Sequence, residues 1–355
     1  MIDEHPHYEN SEELEAAIER KKSRGKWAIV ILIVGIFVLF ILSLFVGASS
    51  MTAMDAINTL LGNGTWSQRY IVFNLRMPRV ICAIFVGAGL SVAGMAMQAM
   101  FRNPMASPSV LGLSSGASFG ASIAIAFGVG GVLGSITVPF MAFIFCFITV
   151  LLVYGLAMTR FGTPMILLLL SGMAVSAFFS GLTSFIQYIV EPDVLQGVVY
   201  WTMGSFARCD WDSVIVGVPI ITLGIILICV CIRELNLISL GEDQAEMLGV
   251  NIKRTRALLL VGTALTVGGS VAIAGVIGFV GLIIPHICRS VCGPNHAVLA
   301  PLCIVAGAAF MMIMDIAAKS IASSTGELPV GILTSLLGAP FFIYIMRKRK
   351  DELWG

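Results

Sequence analysis

Long apolar blocks, broken by short polar stretches, run through almost the whole chain. After a charged N-terminal tail they lie near 27–46, 80–100, 110–129, 137–158, 164–189, 212–232, 257–291, 297–316 and 329–346. Most are close to the length of about 20 residues that an α-helix needs to cross the roughly 30 Å hydrocarbon core of a bilayer. No Asp, Glu, Lys or Arg occurs between residues 103 and 159, or between 161 and 190. A soluble core has no use for such stretches. The pattern predicts an all-α polytopic membrane protein.

The block 257–291 is long for one span and short for two. Charge decides between the readings. If it is a hairpin of two short spans, there are ten spans, both termini share one side, and that side carries 16 of the 21 Lys and Arg residues. If it is a single span, everything beyond it flips and the split becomes 12 against nine. Cytoplasmic loops collect Lys and Arg, so ten transmembrane helices with cytosolic N- and C-termini are expected. Gly275, Gly278 and Gly281 would let the second segment of the hairpin pack closely or break its helix.

The tail reads as a helix that starts at Ser11 with Glu12 and Glu13 and closes with Arg20, Lys21, Lys22, Arg24 and Lys26. That order suits the helix dipole. The apolar block behind it is too long for a signal-peptide core and reads as an uncleaved first span. The chain therefore divides into a cytosolic tail, 1–26, and a transmembrane domain, 27–350.

A repeat runs through this domain. Residues 86–94 (VGAGLSVAG) match 261–269 (VGTALTVGG) at an offset of 175, and Arg79 falls on Arg254 at the same offset. Pro164 pairs with Pro329 more weakly. Apolar sequence produces chance matches; the other reading is an inverted-topology repeat, which transporters use to build a pathway with two faces. Gly112, Gly116 and Gly120, with Ser114, Ser115 and Ser118 nearby, form a small-residue stripe suited to close helix packing or to a share in lining a pathway.

Composition narrows the function. Hydrophobic residues make up 58% of the 355 and charged ones 12%, against about 25% charged in an ordinary soluble domain. A net charge of +1 leaves no basic footprint for nucleic acid. The eight cysteines are scattered singly and form no disulfide framework. His5 with His7, His286 with Cys288 and Cys292, and Cys229 with Cys231 lack a fourth ligand, so no metal site or cofactor is assigned. There is no phosphate-binding loop and no zinc-protease helix. Asp315 is the one candidate for a deeply buried carboxylate, and Lys319 one turn later makes an ion pair near the outer surface the expected role. The chain has a pathway but no engine of its own.

An engine could attach at the polar insert 233–256, whose centre, about 239–250, reads as a short capped helix with Glu242 and Asp243 at its start and Gly249 after Leu248. A plain solvated connector is the other reading.

Several segments resemble the FecCD family, the permease subunits of ATP-binding-cassette importers for iron-siderophores, haem and vitamin B12. They are Leu75-Arg-Met-Pro-Arg79, Gln98-Ala-Met-Phe-Arg-Asn-Pro-Met-Ala106, Leu111-Gly-Leu-Ser-Ser-Gly116, Gly241-Glu-Asp-Gln-Ala-Glu-Met-Leu-Gly249, Gly278-Phe-Val-Gly-Leu-Ile-Ile-Pro-His286, Glu327-Leu-Pro-Val-Gly331 and Gly338-Ala-Pro340. The resemblance implies the ten-helix fold of a vitamin B12 importer permease, a homodimer or a pair with a paralogous permease, two separate ATPase subunits and an extracytoplasmic binding protein. By the same resemblance, Leu240, Gly241, Glu242, Asp243, Ala245, Glu246, Leu248 and Gly249 couple to the ATPase. Arg76, Arg79 and Lys319 would dock the binding protein, although Lys319 stands where the family carries arginine. Asn103, Pro104, Met105 and Ala106, with Gly162, Thr163 and Pro164, would form the inner constrictions of the pathway. The expectation is an importer permease for a metal chelate (ferric siderophore, haem or cobalamin class) in the cytoplasmic membrane. An ion-coupled secondary transporter is the alternative, and a membrane-embedded enzyme a third class for which no catalytic cluster is visible.

Overall fold

Apolar blocks that cannot satisfy their backbone in lipid except by internal hydrogen bonding become helices. A computed structural model describes residues 11–47, 51–128, 136–160, 163–321 and 326–354, with side chains between 19 and 347 except at Ala53. The histidine pair of the tail, His5 and His7, and the constriction residue Gly162 lie outside the described residues. Among the described residues ten apolar helices follow in order: α1 Ser11–Phe45, α2 Met77–Met100, α3 Leu113–Ala126, α4 Thr137–Ala157, α5 Met165–Ile189, α6 Trp211–Val230, α7 Ile252–Ala274, α8 Val280–Cys292, α9 His296–Ser320 and α10 Val330–Trp354. Five short helices, named here by their residues, connect them: Ala53–Leu60, Trp66–Tyr70, Pro192–Thr202, Ile232–Ile238 and Glu242–Met247. Eight of the long helices have the length and hydropathy to cross a membrane; α3 and α8 are apolar but shorter.

The block 257–291 is a hairpin. Gly275, at φ 71°, ends α7, and α8 starts at Val280 behind Phe279, itself at φ 67°. Only a residue without a side chain enters that region at little cost, which makes Phe279 an enforced conformation. Its turn is held from outside: the Ser205 N–H donates to the Ala274 carbonyl (2.7 Å), and the Gly331 N–H to the Gly204 carbonyl (3.1 Å).

The halves of the chain echo each other. α3 and α8, third and eighth in the series, have 14 and 13 residues, about 20 Å each and short of the bilayer core. Both begin behind a left-handed residue, Gly112 and Phe279. α2 and α7, second and seventh, carry the matched segments 86–94 and 261–269 and are the most buried of the spans: 83% and 72% of their apolar windows lie inside the protein. α2 packs on α9 and α8, and α7 on α4 and α3. Glycines make these crossings close. A side chain at Gly94 would run into the Gly281 backbone of α8, one at Gly87 into Gly307 of α9, and one at Gly262 into Ile228 and the Gly224 backbone of α6. Gly116 and Gly120 serve packing in the same way, against Thr149, Phe145 and Met141 of α4.

Two elements extend beyond the sequence blocks. α1 is one helix of 35 residues that merges tail and first span, about 52 Å long and so longer than the bilayer core. The helix of α2 reaches back to Trp66 through a π-helical stretch, Ile71–Arg76. Pro78 lacks an N–H and collides with the carbonyl four residues earlier, and the wider π-turn in front of it makes room.

α9 fixes the two ends of the bundle. At its start the His296 backbone N–H and ring Nδ1 both meet Asn236 Oδ1 (2.9 and 2.8 Å), tying it to Ile232–Ile238 beside the polar insert. Lys319 lies about 35 Å further along the helix, at the opposite end.

Candidate functional site

The polar insert folds as a small compact knob. After Ile232–Ile238 the chain turns at Gly241 (φ 141°) into the helix Glu242–Met247. Gly249 (φ 85°) reverses it, and the Val250 N–H donates back to the Ala245 carbonyl (3.0 Å). Asn251 then caps α7, its Oδ1 accepting from the Arg254 N–H (3.0 Å). Ile238, Ala245 and Ile252 form a satellite core with Leu237 and Val250. The knob is therefore seated on the first turn of α7. Its outer surface is unusual: Leu240, Met247 and Leu248 are 59%, 87% and 57% exposed, beside the exposed acids Asp243 and Glu246.

Beneath the knob lies Arg256, 5% exposed. Its Nη2 donates to Glu242 Oε1 (2.8 Å) and its Nη1 to the Thr163 carbonyl. Thr163 is buried and stands directly before Pro164, the residue that opens α5. The other expected constriction is the turn 103–106. Asn103 Oδ1 accepts from the Met105 N–H (2.9 Å), the Ala106 N–H donates to the Asn103 carbonyl (3.0 Å), and Arg102 before it is left-handed at φ 47°. Asn103 is exposed, Pro104 and Met105 are half-buried, and Ala106 is buried.

α5 connects this end to the other with two distinct faces. Leu168, Gly172, Val175, Phe179, Thr183 and Ile186 point into the bundle. Ser176, Ser180, Ser184 and Gln187 form a polar row on the less buried side. The Ser115 and Ser176 hydroxyls are 2.8 Å apart, and Ser180 donates to Ser115 (3.5 Å). Hydroxyls facing hydrocarbon would lose their water partners, so this row calls for water or a second protein surface.

The far end holds a cluster of charges. Arg79 places Nε and Nη2 each 2.8 Å from Asp315 Oδ1 and Nη1 2.5 Å from Glu327 Oε2. Lys319 reaches Asp315 Oδ2 at 2.7 Å and donates to Ser43 Oγ (3.1 Å). Arg76 donates to the Leu44 carbonyl. The network joins α1, α2, α9 and the segment leading into α10. Two cations and two carboxylates balance. Arg76, Arg79 and Lys319 are 5%, 8% and 5% exposed. Their partners are supplied by the same chain, and the expected i,i+4 pair of Asp315 and Lys319 forms, buried, in the last turns of α9.

Sequence reasoning missed three residues at these sites. Met247 lies inside the segment 241–249, but its exposure is a tertiary fact that the sequence does not carry. Arg256 counted only as a basic residue, although an arginine in the first turns of a helix opposes the dipole and so requires a local partner. Glu327 lies 248 residues from Arg79. Among the described residues, no three His, Cys, Asp or Glu side chains converge on a metal-sized site.

Comparison with known proteins gives this geometry a family. The chain is 40% identical over 280 residues to the cobalamin import system permease of Halobacterium salinarum, covering 79% of this chain and 74% of that one. It is 37% identical over 340 residues to the Fe(3+)-citrate import system permease of Bacillus subtilis, covering 95% and 98%. Among solved structures, an inward-facing conformation of a putative metal-chelate type ABC transporter superposes with a TM-score of 0.78 at 34% identity, covering 91% of this chain and 99% of that one. The FecCD transport family model matches residues 33–348. The chain belongs to that family, as a permease subunit of an ATP-binding-cassette importer whose ATP hydrolysis resides on a separate subunit.

Proposed function

We propose that this permease imports a metal chelate of the ferric siderophore, haem or cobalamin class across the cytoplasmic membrane, as one half of a homodimer, with two ATPase subunits at the Glu242–Met247 knob and a binding protein at the Arg79 end. The observation that carries the reading is the knob itself. Three large apolar side chains, Met247 on an acidic helix and Leu240 and Leu248 flanking it, are exposed together, and exposed apolar patches rimmed by charge mark protein contacts. The ATPase side is cytosolic, so both termini are cytosolic too, in keeping with the Lys and Arg bias.

The substrate class follows from two features. The relatives named above handle cobalamin and ferric citrate. The serine row of α5 belongs to a region, α3 to α5, whose described spans carry no charged residue. A hydroxylated, uncharged wall shared by two copies suits a bulky chelate that must be released rather than held. By the family resemblance, Asn103, Pro104, Met105 and Ala106, with Gly162, Thr163 and Pro164, close the cytosolic end. Ion coupling is disfavoured by Asp315, the one buried acidic residue among the described residues, because Arg79 and Lys319 neutralise it.

Docking of the binding protein passes through Glu327, the most exposed member of the charge cluster. An acidic side chain of the partner that takes its place on Arg79 preserves the charge balance, with Lys319 and Arg76 holding the cluster from below. The test is uptake in proteoliposomes. The permease with its ATPase and binding protein should accumulate a ferric siderophore, haem or cobalamin only with ATP inside. Accumulation by the permease alone, driven by an ion gradient, would overturn the reading.

A further inference from the structure

Two segments assigned to different duties meet on one side chain. The knob is connected to α5 neither by sequence nor by a continuous core: its satellite cluster is separate from the main one. The link is polar. Arg256 rises from α7, buried, and spreads its two terminal nitrogens between Glu242 of the knob and the carbonyl of Thr163 at the head of α5. That carbonyl has little alternative. It precedes a proline, and the N–H groups of Leu167 and Leu168 in the first turn of α5 donate to Pro164 instead. A buried carbonyl without a donor is costly, so the guanidinium is held from that side as well as from the carboxylate. A planar fork can bridge two acceptors in fixed geometry, and an ammonium cannot do so equally well. Arg256 also rides on a helix locked by close crossings at Gly262 and Gly269.

We propose that Arg256 is a positioning residue of the transport cycle, a strut that makes the Glu242–Met247 knob and the Thr163–Pro164 head of α5 move as one body. It rests on the reading of the knob as the ATPase contact and deepens it. A displacement imposed on the knob reaches the cytosolic constriction through one guanidinium, without needing to pass up and down the bundle. Glu242, the half-exposed arm, is the end at which the strut engages; Thr163 is the end at which it acts.

The test uses the full permease with its ATPase and binding protein in proteoliposomes. Spin labels are placed at the exposed positions Arg160 and Gln244, in a Cys229→Ser background because Cys229 is the one half-exposed native cysteine. In the unaltered strut the 160–244 distance should stay single and narrow in nucleotide-free and ATP-trapped states. Arg256→Gln should broaden or split that distance and lower uptake at least tenfold while the ATPase still co-purifies. Arg256→Lys should restore part of both. If Arg256→Gln does not reach the membrane, Glu242→Gln removes the half-exposed arm alone and should broaden the distance in the same way. A distance that stays narrow in both glutamine variants, or full uptake in Arg256→Gln, overturns the strut. Gly249→Leu separates this from the underlying reading: lost uptake there with a silent Arg256→Gln discards the strut and keeps the knob as ATPase contact. Full uptake in Gly249→Leu discards both.

Discussion

Arg79 and Arg256 stand near the starts of α2 and α7, the corresponding helices of the two halves, and each bridges two partners from other segments. Their settings differ in kind. Arg79 closes a four-charge cluster in which every member but Glu327 is sealed from solvent. Arg256 joins a half-exposed carboxylate to a backbone carbonyl and leaves one arm within reach of a partner. A closed, neutral network has no partner to gain and resists change. An open bridge can transmit or exchange. The difference teaches that a buried arginine near the start of each of two corresponding helices serves as a clasp at one end of the bundle and as a linkage at the other, although the repeat itself aligns Arg79 with Arg254.

The largest expected effect comes from opening the clasp. Asp315→Asn leaves Arg79 and Lys319 buried with a single carboxylate between them, and removing one partner of a buried ion pair costs about 3–5 kcal/mol. The melting temperature of the detergent-solubilised permease should fall by many degrees and its membrane level with it. The triple replacement Arg79→Met, Asp315→Leu, Lys319→Met should recover most of that loss, because a buried network replaced by apolar side chains of similar volume is often neutral or stabilising. If the triple variant transports as well as the parent, the cluster is purely a clasp. If it folds but no longer responds to binding protein, the cluster also carries the docking role assigned to Arg76, Arg79 and Lys319.

Much of the scaffold in which these two arginines sit was legible in the sequence. Helix positions followed from apolar blocks, and the hairpin 257–291 followed from counting Lys and Arg, because insertion obeys local charge. The partnerships were not legible. Arg79 meets Asp315 across 236 residues and Arg256 meets Thr163 across 93, and no local pattern records either contact. The burial of three cations was hidden for a related reason: each sits at the edge of an apolar block, where exposed and buried readings look alike until a carboxylate from another helix is known. The π-helical entry to α2 lies outside the apolar block 80–100, because Ser67, Gln68, Arg69 and Asn74 interrupt the apolar run with polar side chains.

A smaller effect separates linkage from stability at the open end. Gly249 stands at φ 85°, with nothing within contact distance of an added Cβ. Gly249→Val therefore meets no neighbour but must enter a region unfavourable for a β-branched residue, at about 1–2 kcal/mol confined to the knob. The bundle should melt as before, whereas ATP-driven uptake should fall several-fold as the knob loses its seat on the ATPase. Equal melting and equal uptake would make the knob a connector and end the contrast between the two arginines.

The smallest effect tests whether charge at the Arg79 end matters once it is exposed. Asp55 lies in the helix Ala53–Leu60, between α1 and the run into α2, and belongs to a capping box: its carboxylate accepts from the Thr52 N–H (2.9 Å) and hydroxyl (2.7 Å). Those bonds, the hydroxyl first, hold its pKa below the ordinary value although the residue is only half-buried. A depressed carboxylate contributes stability above its unfolded pKa, and that contribution is lost as the pH falls through the folded one. Protection of the Ala56 and Leu61 amides against hydrogen exchange, corrected for intrinsic rate, should hold through neutral pH and drop on acidification. Asp55→Asn should remove the drop and leave the melting of the whole bundle unmoved, since a solvated cap acts on its own turn. A bundle that melts with the same acid dependence as this cap would mean that the end helix and the Arg79 cluster are energetically one unit, and the clasp would then extend to the surface.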